Sequence, residues 1–439
     1  MRMAAVRVAL WLLEALNARR ARRSSVPDAG TVRILLQHAY GMGGTIRTVL
    51  NLAGYLARER DVEIISMVRT AEKPFFPIPP GVRVSFLDDR TAPRGPAARF
   101  LSRFPSLLVP EQEKVHHALT LWTDVCLVRR LRAMRTGVVI STRPAFNLVS
   151  ALFAPPEVIT VGQEHVTYDA HAPEVRRLIR RRYGRFDAFV TLTRADMERY
   201  AKALKAGPPR RLIRIPNAVP DLPGGVSGLE EKVAVAIGRL VHVKGFDRLV
   251  TAWKDVAAAH PDWVLRIYGA GTREAEARLR ARIEDAGLTD KVFLMGRSAE
   301  VGVELAKSSI YVVSSRYEGF GMTILEAMSK GVPVVSFDCP HGPGEIITHE
   351  HDGLLVRSKK PAALAEAVCR VIEDRELRRR LGANALRTAA GYDLDAVGAR
   401  WDVLLDGLSA TARRQPVRSA VPDRPVPRSS LVKNWATPG

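Results

Sequence analysis

Short apolar runs that alternate with stretches of helical periodicity, repeated along 439 residues, leave a chain of this kind few ways to fold. The runs Val32–Leu36, Val62–Val68, Val82–Leu87, Val138–Ser141, Val158–Gly162 and Ala188–Leu192 read as strands, several separated by helical stretches such as Thr45–Arg58. After Arg214-Ile215-Pro216-Asn217 comes a segment dense in Pro and Gly, 218–228, and then the pattern restarts. Strands are expected at Val233–Ile237, Val264–Tyr268, Val292–Met295, Ile310–Ser314 and Val332–Ser336, with helices at Arg248–Ala258, Glu274–Ala286 and Ile324–Ser329. Apolar strands interrupted this regularly by helices pair in parallel and are covered by helices on both faces. The expected fold is therefore α/β, with two doubly wound Rossmann-like domains facing each other across a cleft.

The same pattern sets the expected boundaries. A basic N-terminal extension covers 1–30, the first domain 31–216, a linker 217–229 and the second domain 230–390. A helix at 391–408 is expected to pack back toward the first domain. The remainder, 409–439, is rich in Pro, Arg and Ser and reads as a disordered basic tail.

Charge narrows the partners. The 67 Lys and Arg against 46 Asp and Glu leave +21, of which +4 falls in 1–30 and +5 in 409–439. Such an excess suits a phosphate-bearing substrate or an anionic lipid surface. Nucleic acid is set aside, since no zinc, RNP or helix-turn-helix signature is present. Cys126, Cys339 and Cys369 stand far apart without metal-ligand or disulfide spacing, which points to a reducing, cytoplasmic setting. The apolar stretch Met3 to Leu16 is broken by Arg7 and Glu14 and is too short to span a bilayer. Its stripe of Val6, Leu10 and Leu13 beside the arginines at 19–23 fits either an interfacial helix or an unstructured extension.

Ligands of open α/β sheets sit beyond the carboxyl ends of the strands, so the loops after strands carry the chemistry. The first informative loop is Gly41-Met-Gly43-Gly44-Thr45, where backbone N–H groups can meet an anion at a helix N-terminus; an ordinary tight turn would also account for it. The second, Gly238-Arg239-Leu-Val-His242-Val-Lys244-Gly245, puts a guanidinium and an ammonium at the mouth of a sheet, a pair suited to a diphosphate. The third runs from Ser314 through Arg316, Glu318, Gly319 and Gly321 to Glu326 and opens a helix. Free N–H groups at Met322 and Thr323 would face an anion there, flanked by two carboxylates. Carboxylates are poor phosphate ligands but good acceptors for sugar and ribose hydroxyls. A nucleotide-sugar satisfies all three groups better than a free nucleotide.

The run Glu318 to Glu326 around Gly-Phe-Gly, followed by Gly331-Val-Pro333-Val-Val, resembles the donor-site signature of glycosyltransferase family 4, whose members have the GT-B fold. The likeness continues in Gly43-Gly44-Thr45, Ile215-Pro216-Asn217, Gly269-Ala-Gly271, Pro343-Gly344-Glu345-Ile346 and Asp352-Gly353-Leu-Leu-Val356, over about residues 31–408. It implies a first domain on the acceptor side and a second that binds the nucleotide-sugar. Carried onto this chain, Arg239 and Lys244 would hold the donor diphosphate, Glu326 the ribose, and Glu318 the hydroxyls of the transferred sugar. Gly43, Gly44, Gly321, Met322 and Thr323 would complete the phosphate site, and His165 would stand beside the donor sugar. The resemblance also implies a retaining reaction with no resident cofactor and no metal, transfer of a hexose or N-acetylhexosamine with UDP favoured, and a glycan, lipid-linked or cell-envelope acceptor. Asn217-Ala218 and Thr193-Arg194 depart from the family pattern without touching the diphosphate groups.

A peripheral contact with anionic membrane is a further expectation, carried by Arg176, Arg177, Arg180, Arg181, Arg182 and Arg185 with Leu178, Ile179 and Tyr183 between them; a solvated helix face is the plainer account. The competing functions are a nucleotide-sugar epimerase or other non-transferase enzyme of this fold, and a non-enzymatic carbohydrate- or membrane-binding protein. NAD chemistry is disfavoured, because Gly269-Ala-Gly271 lacks the full Gly-x-Gly-x-x-Gly.

Overall fold

The computed structural model describes residues 29–414. The N-terminal extension up to residue 28 and the tail from 415 lie outside the described residues, as do the expectations placed on them. Each half of the rest is built on one parallel sheet. The first holds β1 (Thr31–Leu36), β2 (Asp61–Arg69), β3 (Val82–Asp89), β4 (Val138–Ser141), β5 (Ile159–Gln163), β6 (Ala188–Thr191) and β7 (Leu212–Arg214), in the order β3-β2-β1-β4-β5-β6-β7. The second holds β8 (Val233–Ile237), β9 (Val264–Tyr268), β10 (Val292–Gly296), β11 (Ile310–Val313), β12 (Val334–Phe337) and β13 (Gly353–Val356), in the order β10-β9-β8-β11-β12-β13.

Strand order reverses between β1 and β4 in the first sheet and between β8 and β11 in the second, which opens a crevice at the carboxyl ends of those strands. The central strands β4 and β11 are buried at every residue, so their sequences do not alternate, and the Ser141 hydroxyl that ends β4 is satisfied by donating to Asn147 Oδ1 at 2.6 Å. Helices cover both faces. Trp253, Leu265, Ile267, Val312 and Leu364 share one core of the second domain, and Ile34, Val49, Ile64, Val138 and Ile140 share one of the first. This is the doubly wound, two-domain GT-B architecture expected from the sequence.

The chain crosses between the domains twice. On the outward crossing the Val219 N–H donates to the Tyr392 carbonyl of the return segment at 2.7 Å. After it the helix Leu394–Arg414 lies against helix Gly44–Leu56. Val397, Trp401, Leu404, Leu405 and Leu408 are buried there in the first domain's core, beside residues of β1, β4 and β5. Polar contacts fix the helix at its edge: the Tyr55 hydroxyl donates to Asp402 at 2.8 Å, and the Arg60 guanidinium to Asp402 at 2.8 Å and Asp406 at 3.0 Å. The helix runs to Arg414, past the expected start of the tail at 409. Ser409 is buried, and the Thr411 hydroxyl donates to the Gly407 carbonyl at 2.7 Å, so the amphipathic helix ends later than the loss of large apolar residues suggests.

Candidate active site

In the second domain, two loops leave neighbouring strands and are laced together. After β8 the chain turns through Arg239 to Lys244, and after β11 through Ser314 to Gly321. The Arg316 guanidinium donates to both carboxylate oxygens of Asp247, at 2.7 and 2.5 Å, and to the His242 carbonyl at 2.8 Å. The same guanidinium holds the Asp247 carboxyl below its ordinary range. The Ser314 hydroxyl donates to the Lys244 carbonyl at 3.0 Å. Gly245 adopts φ 66° at this crossing, and a Cβ there would stand 2.1 Å from the Ser314 carbonyl oxygen, so only glycine fits.

The result is a fixed pair of opposite charges. Lys244 Nζ donates to Glu318 Oε1 at 2.7 Å, and the Ser315 hydroxyl donates to the same oxygen at 2.6 Å. The Lys244 stem lies against Gly238, while Glu318 is buried. Gly321, at φ 97°, caps the helix Met322–Met328, whose first N–H groups have no partner within the helix. Met322 and Thr323 are half-buried at that end. Arg239 is exposed at the mouth of the sheet, without an ion-pair partner among the described residues.

The first domain supplies the facing wall. Gly43 and Gly44 open the helix Gly44–Leu56 after β1, and a Cβ on Gly44 would meet no atom within 4 Å. His165 follows β5. Together with Gly43, Gly44, Gln112, Arg143 and His171 it lines a cavity of about 260 Å³. The His165 carbonyl stands 3.6 Å from where a Cβ of Gly319 would be, so the histidine loop of one domain lies over the Glu318 loop of the other. Burial, with the Arg143 charge beside it, lowers the His165 imidazole to about 4, and its buried Nε2 has no hydrogen-bond partner. It is a neutral group at physiological pH.

One bridge between the domains has no counterpart in the sequence reading. Arg47, one turn into helix Gly44–Leu56, stands 3.7 Å from Glu326 Oε1 and 5.9 Å from the centre of the Phe76 ring. Burial raises the Glu326 carboxyl, and the Arg47 charge opposes the rise. Position i+3 from Gly44 was the available signal for Arg47, but its partner lies in the other domain. Glu345 makes a second bridge, accepting from the Ala195 N–H at 2.8 Å with Arg214 Nε 3.6 Å away.

Behind His165 lies a buried polar cluster that sequence reasoning also missed. Glu164 accepts from Asn147 Nδ2 at 2.9 Å and the Tyr183 hydroxyl at 2.7 Å, while its second oxygen faces His171 Nε2 at 3.7 Å without a hydrogen bond. The approach resembles a salt bridge, but burial drives both groups toward neutrality: His171 falls to about 4, aided by the Lys114, Arg143 and Arg176 charges, and Glu164 rises well above the carboxylate range. A histidine depressed in the folded state costs stability as pH falls through the interval where only the unfolded chain takes the proton, here from 6.5 down to about 4. His171→Gln removes that cost. Its stability relative to the parent is expected to rise on acidification across this interval by up to about 1.4 kcal/mol per pH unit. Urea denaturation at several pH values checks it, and a pH-independent difference would contradict the depressed imidazole.

The structure thus gathers Lys244, Glu318, Gly321, Met322, Thr323 and Glu326 around the second sheet's crevice, with Gly43, Gly44 and His165 across from them. Among the described residues no group of three or more His, Cys, Asp or Glu side chains is placed to hold a metal ion.

Residues 225–388 match the family model described as glycosyl transferases group 1. An exopolysaccharide phosphotransferase of Streptomyces coelicolor is 36% identical over 402 residues, which cover 89% of this chain and 42% of that protein. The chain therefore spans less than half the length of that relative. An uncharacterized glycosyltransferase of Haemophilus influenzae is 25% identical, over 83% of this chain and 96% of its own length. Among solved structures, a point mutant of S. aureus TarM in complex with fondaparinux, alpha-GlcNAc-glycerol and UDP superimposes with a TM-score of 0.67 at 14% identity, covering 86% of this chain and 100% of that one.

Proposed function

We propose that this chain, whose second domain is a glycosyl transferase domain of group 1, is a retaining glycosyltransferase that needs no metal. It moves a hexose or N-acetylhexosamine from a nucleoside-diphosphate sugar, UDP favoured, to a glycan, lipid-linked or cell-envelope acceptor. The work is done on the cytoplasmic side, at the membrane surface. The observation that carries this reading is the Lys244–Glu318 pair and the buried Glu326 at the carboxyl ends of the second sheet, with His165 lying over them from the first domain.

Each group has a role its chemistry suits. Lys244 and Arg239 stabilise the departing diphosphate, and the N–H groups of Met322, Thr323 and Gly44 add fixed dipoles directed at the same charge. Positive side chains and helix N–H groups would in this way do what a divalent cation does elsewhere. Glu326 accepts the ribose hydroxyls, displacing Arg47, and Glu318 accepts those of the transferred sugar while Lys244 bridges it to the phosphates. His165, neutral and with Nε2 unpartnered, accepts from or donates to a donor-sugar hydroxyl without adding charge. In a front-face reaction a donor phosphate oxygen takes the acceptor proton, so no side chain serves as general base.

UDP is supported by the TarM neighbour, whose complex holds UDP, and an envelope acceptor by the Streptomyces relative, named for exopolysaccharide. The test is calorimetric titration of UDP, GDP, ADP and their sugar conjugates into the protein in EDTA, with Glu326→Ala beside it. One nucleotide is expected to bind without metal and to lose most of its affinity in the variant. Binding that requires a divalent cation would sink metal independence, and no binding at all would sink the donor site.

A further inference from the structure

Beyond β3, on the outer edge of the first sheet, the chain forms the short helix Pro96–Leu101 and continues one more turn, in which the N–H groups of Ser102, Arg103 and Phe104 donate to Ala98, Phe100 and Leu101. Residues four apart share a face of such a turn, which sets Phe100 beside Phe104 and Arg99 beside Arg103. The apolar pair points outward: Phe100 is 56% exposed, Phe104 40% and Leu107 46%. The two rings meet edge to face with centroids 5.4 Å apart. Three large apolar side chains exposed within eight residues, two of them in contact, mark a surface that something covers.

The ledge is held in place by its backbone. The buried Asp124 carboxylate accepts from the Ser106 hydroxyl and the Leu107 N–H at 2.7 Å each, and from the Leu108 N–H at 3.2 Å. The Leu121 N–H donates to the Phe104 carbonyl at 3.0 Å, and Arg90 to the Ala118 carbonyl at 2.7 Å. The exposure of the tips is thus built in.

Charge identifies the occupant. From Arg90 to Pro110 the sequence holds four arginines and no Asp or Glu. Arg90 and Arg94 turn inward to Asp88, at 2.7 and 3.8 Å. Arg99 and Arg103 stay exposed beside the two phenylalanines, without an ion-pair partner among the described residues. We infer that Arg99, Phe100, Arg103, Phe104 and Leu107 form a docking surface for an anionic lipid bilayer, the rings entering the interface and the guanidinium groups meeting lipid phosphates.

The basic helix Pro173–Arg182 suits this role less well. Its apolar residues Val175 and Ile179 are buried, Arg177 is paired with Glu174, Arg176 faces Asp169, and Arg180 donates to the Tyr168 hydroxyl. Leu178 is partly buried against the same cluster, so the helix offers charge with little free apolar surface. The ledge, by contrast, runs on within five residues to Gln112, Glu113 and Lys114 in the wall of the cavity that His165 lines. A bilayer seated on it would present a lipid-linked acceptor at that cavity. Only this last step rests on the proposed transferase activity; the docking does not.

The test is co-sedimentation of the full chain with vesicles of phosphatidylglycerol mixed into phosphatidylcholine, against vesicles of phosphatidylcholine alone. Nucleotide is left out, so the outcome is independent of the donor site. The parent is expected to sediment with the anionic vesicles only. The double variants Phe100→Ser/Phe104→Ser and Arg99→Glu/Arg103→Glu are each expected to bind about tenfold or more weakly, with thermal melting unchanged. Undiminished binding by both variants, equal binding to the neutral vesicles, or no binding by the parent would overturn the assignment. A dimer in gel filtration that Phe100→Ser/Phe104→Ser dissociates would overturn it too, making the occupant a second copy of the chain.

Discussion

Replacing Lys244 by alanine is expected, in the proposed reaction, to lower kcat/KM for the nucleotide-sugar by a factor of about 10²–10³, the usual effect of removing one group aimed at charge developing in a transition state. The loss should fall on turnover as well as on donor affinity, because the charge on the diphosphate grows as the glycosidic bond breaks. Stability should change little. The Lys244 side chain is only 20% exposed, yet Glu318 would keep the Ser315 hydroxyl as a donor, and the Arg316–Asp247 pair would still hold the two loops together. Steady-state kinetics with a thermal melt on the same preparation separates these effects. A variant that turns over within a few-fold of the parent would remove Lys244 from the reaction, and one that melts early would make the pair structural.

The second large effect is one of stability. Trp401 is 1% exposed, in the core where the last helix meets the first sheet. Trp401→Ala is expected to destabilise the first domain by about 3–5 kcal/mol, the usual cost of emptying a large aromatic site that cannot collapse. The ring also keeps the helix seated, so the variant should expose Val397 and Leu405 and bind a hydrophobic dye before the second domain unfolds. Urea denaturation followed by dye binding and by circular dichroism checks it. Coincident transitions at the parent's midpoint would show that the helix is an appendage.

Much of this was legible beforehand because the physics is local. A buried parallel strand such as Val138–Ser141 or Ile310–Val313 is buried at every position and shows no apolar–polar alternation, and both stand within a residue of where the sequence puts them. β7 is three residues of a half-buried edge, Leu212–Arg214, too short to show a pattern, and in sequence it merges with the interdomain segment. The groups proposed for the donor were visible because they are clustered in sequence: Glu318 to Glu326 is one loop and one turn of helix.

What could not be read were partners across the cleft. Nothing near Arg47 names Glu326, and nothing near Ala195 names Glu345. The basic segment from Arg176 to Arg185 meets the complementary limit. It is helical as its spacing suggests, but a sequence cannot say whether Ile179 and Tyr183 face lipid or the protein's own core, and here they are buried among Phe186, Phe189 and Tyr200. Phe100 and Phe104 show the converse, apolar residues whose exposure becomes visible only once the backbone around Asp124 is known.

The return of helix Leu394–Arg414 to the first sheet also sets an order of assembly. During synthesis the first seven strands emerge long before the helix that closes their core, while every strand and core helix of the second domain is already available. The domain made first is thus the domain finished last, and until Trp401 arrives the nascent chain carries an open apolar groove along helix Gly44–Leu56. A ribosome that stops short of that helix leaves the second domain's strands and core helices all made and the first domain's core uncovered, so the folding of residues near 50 waits on residues near 400.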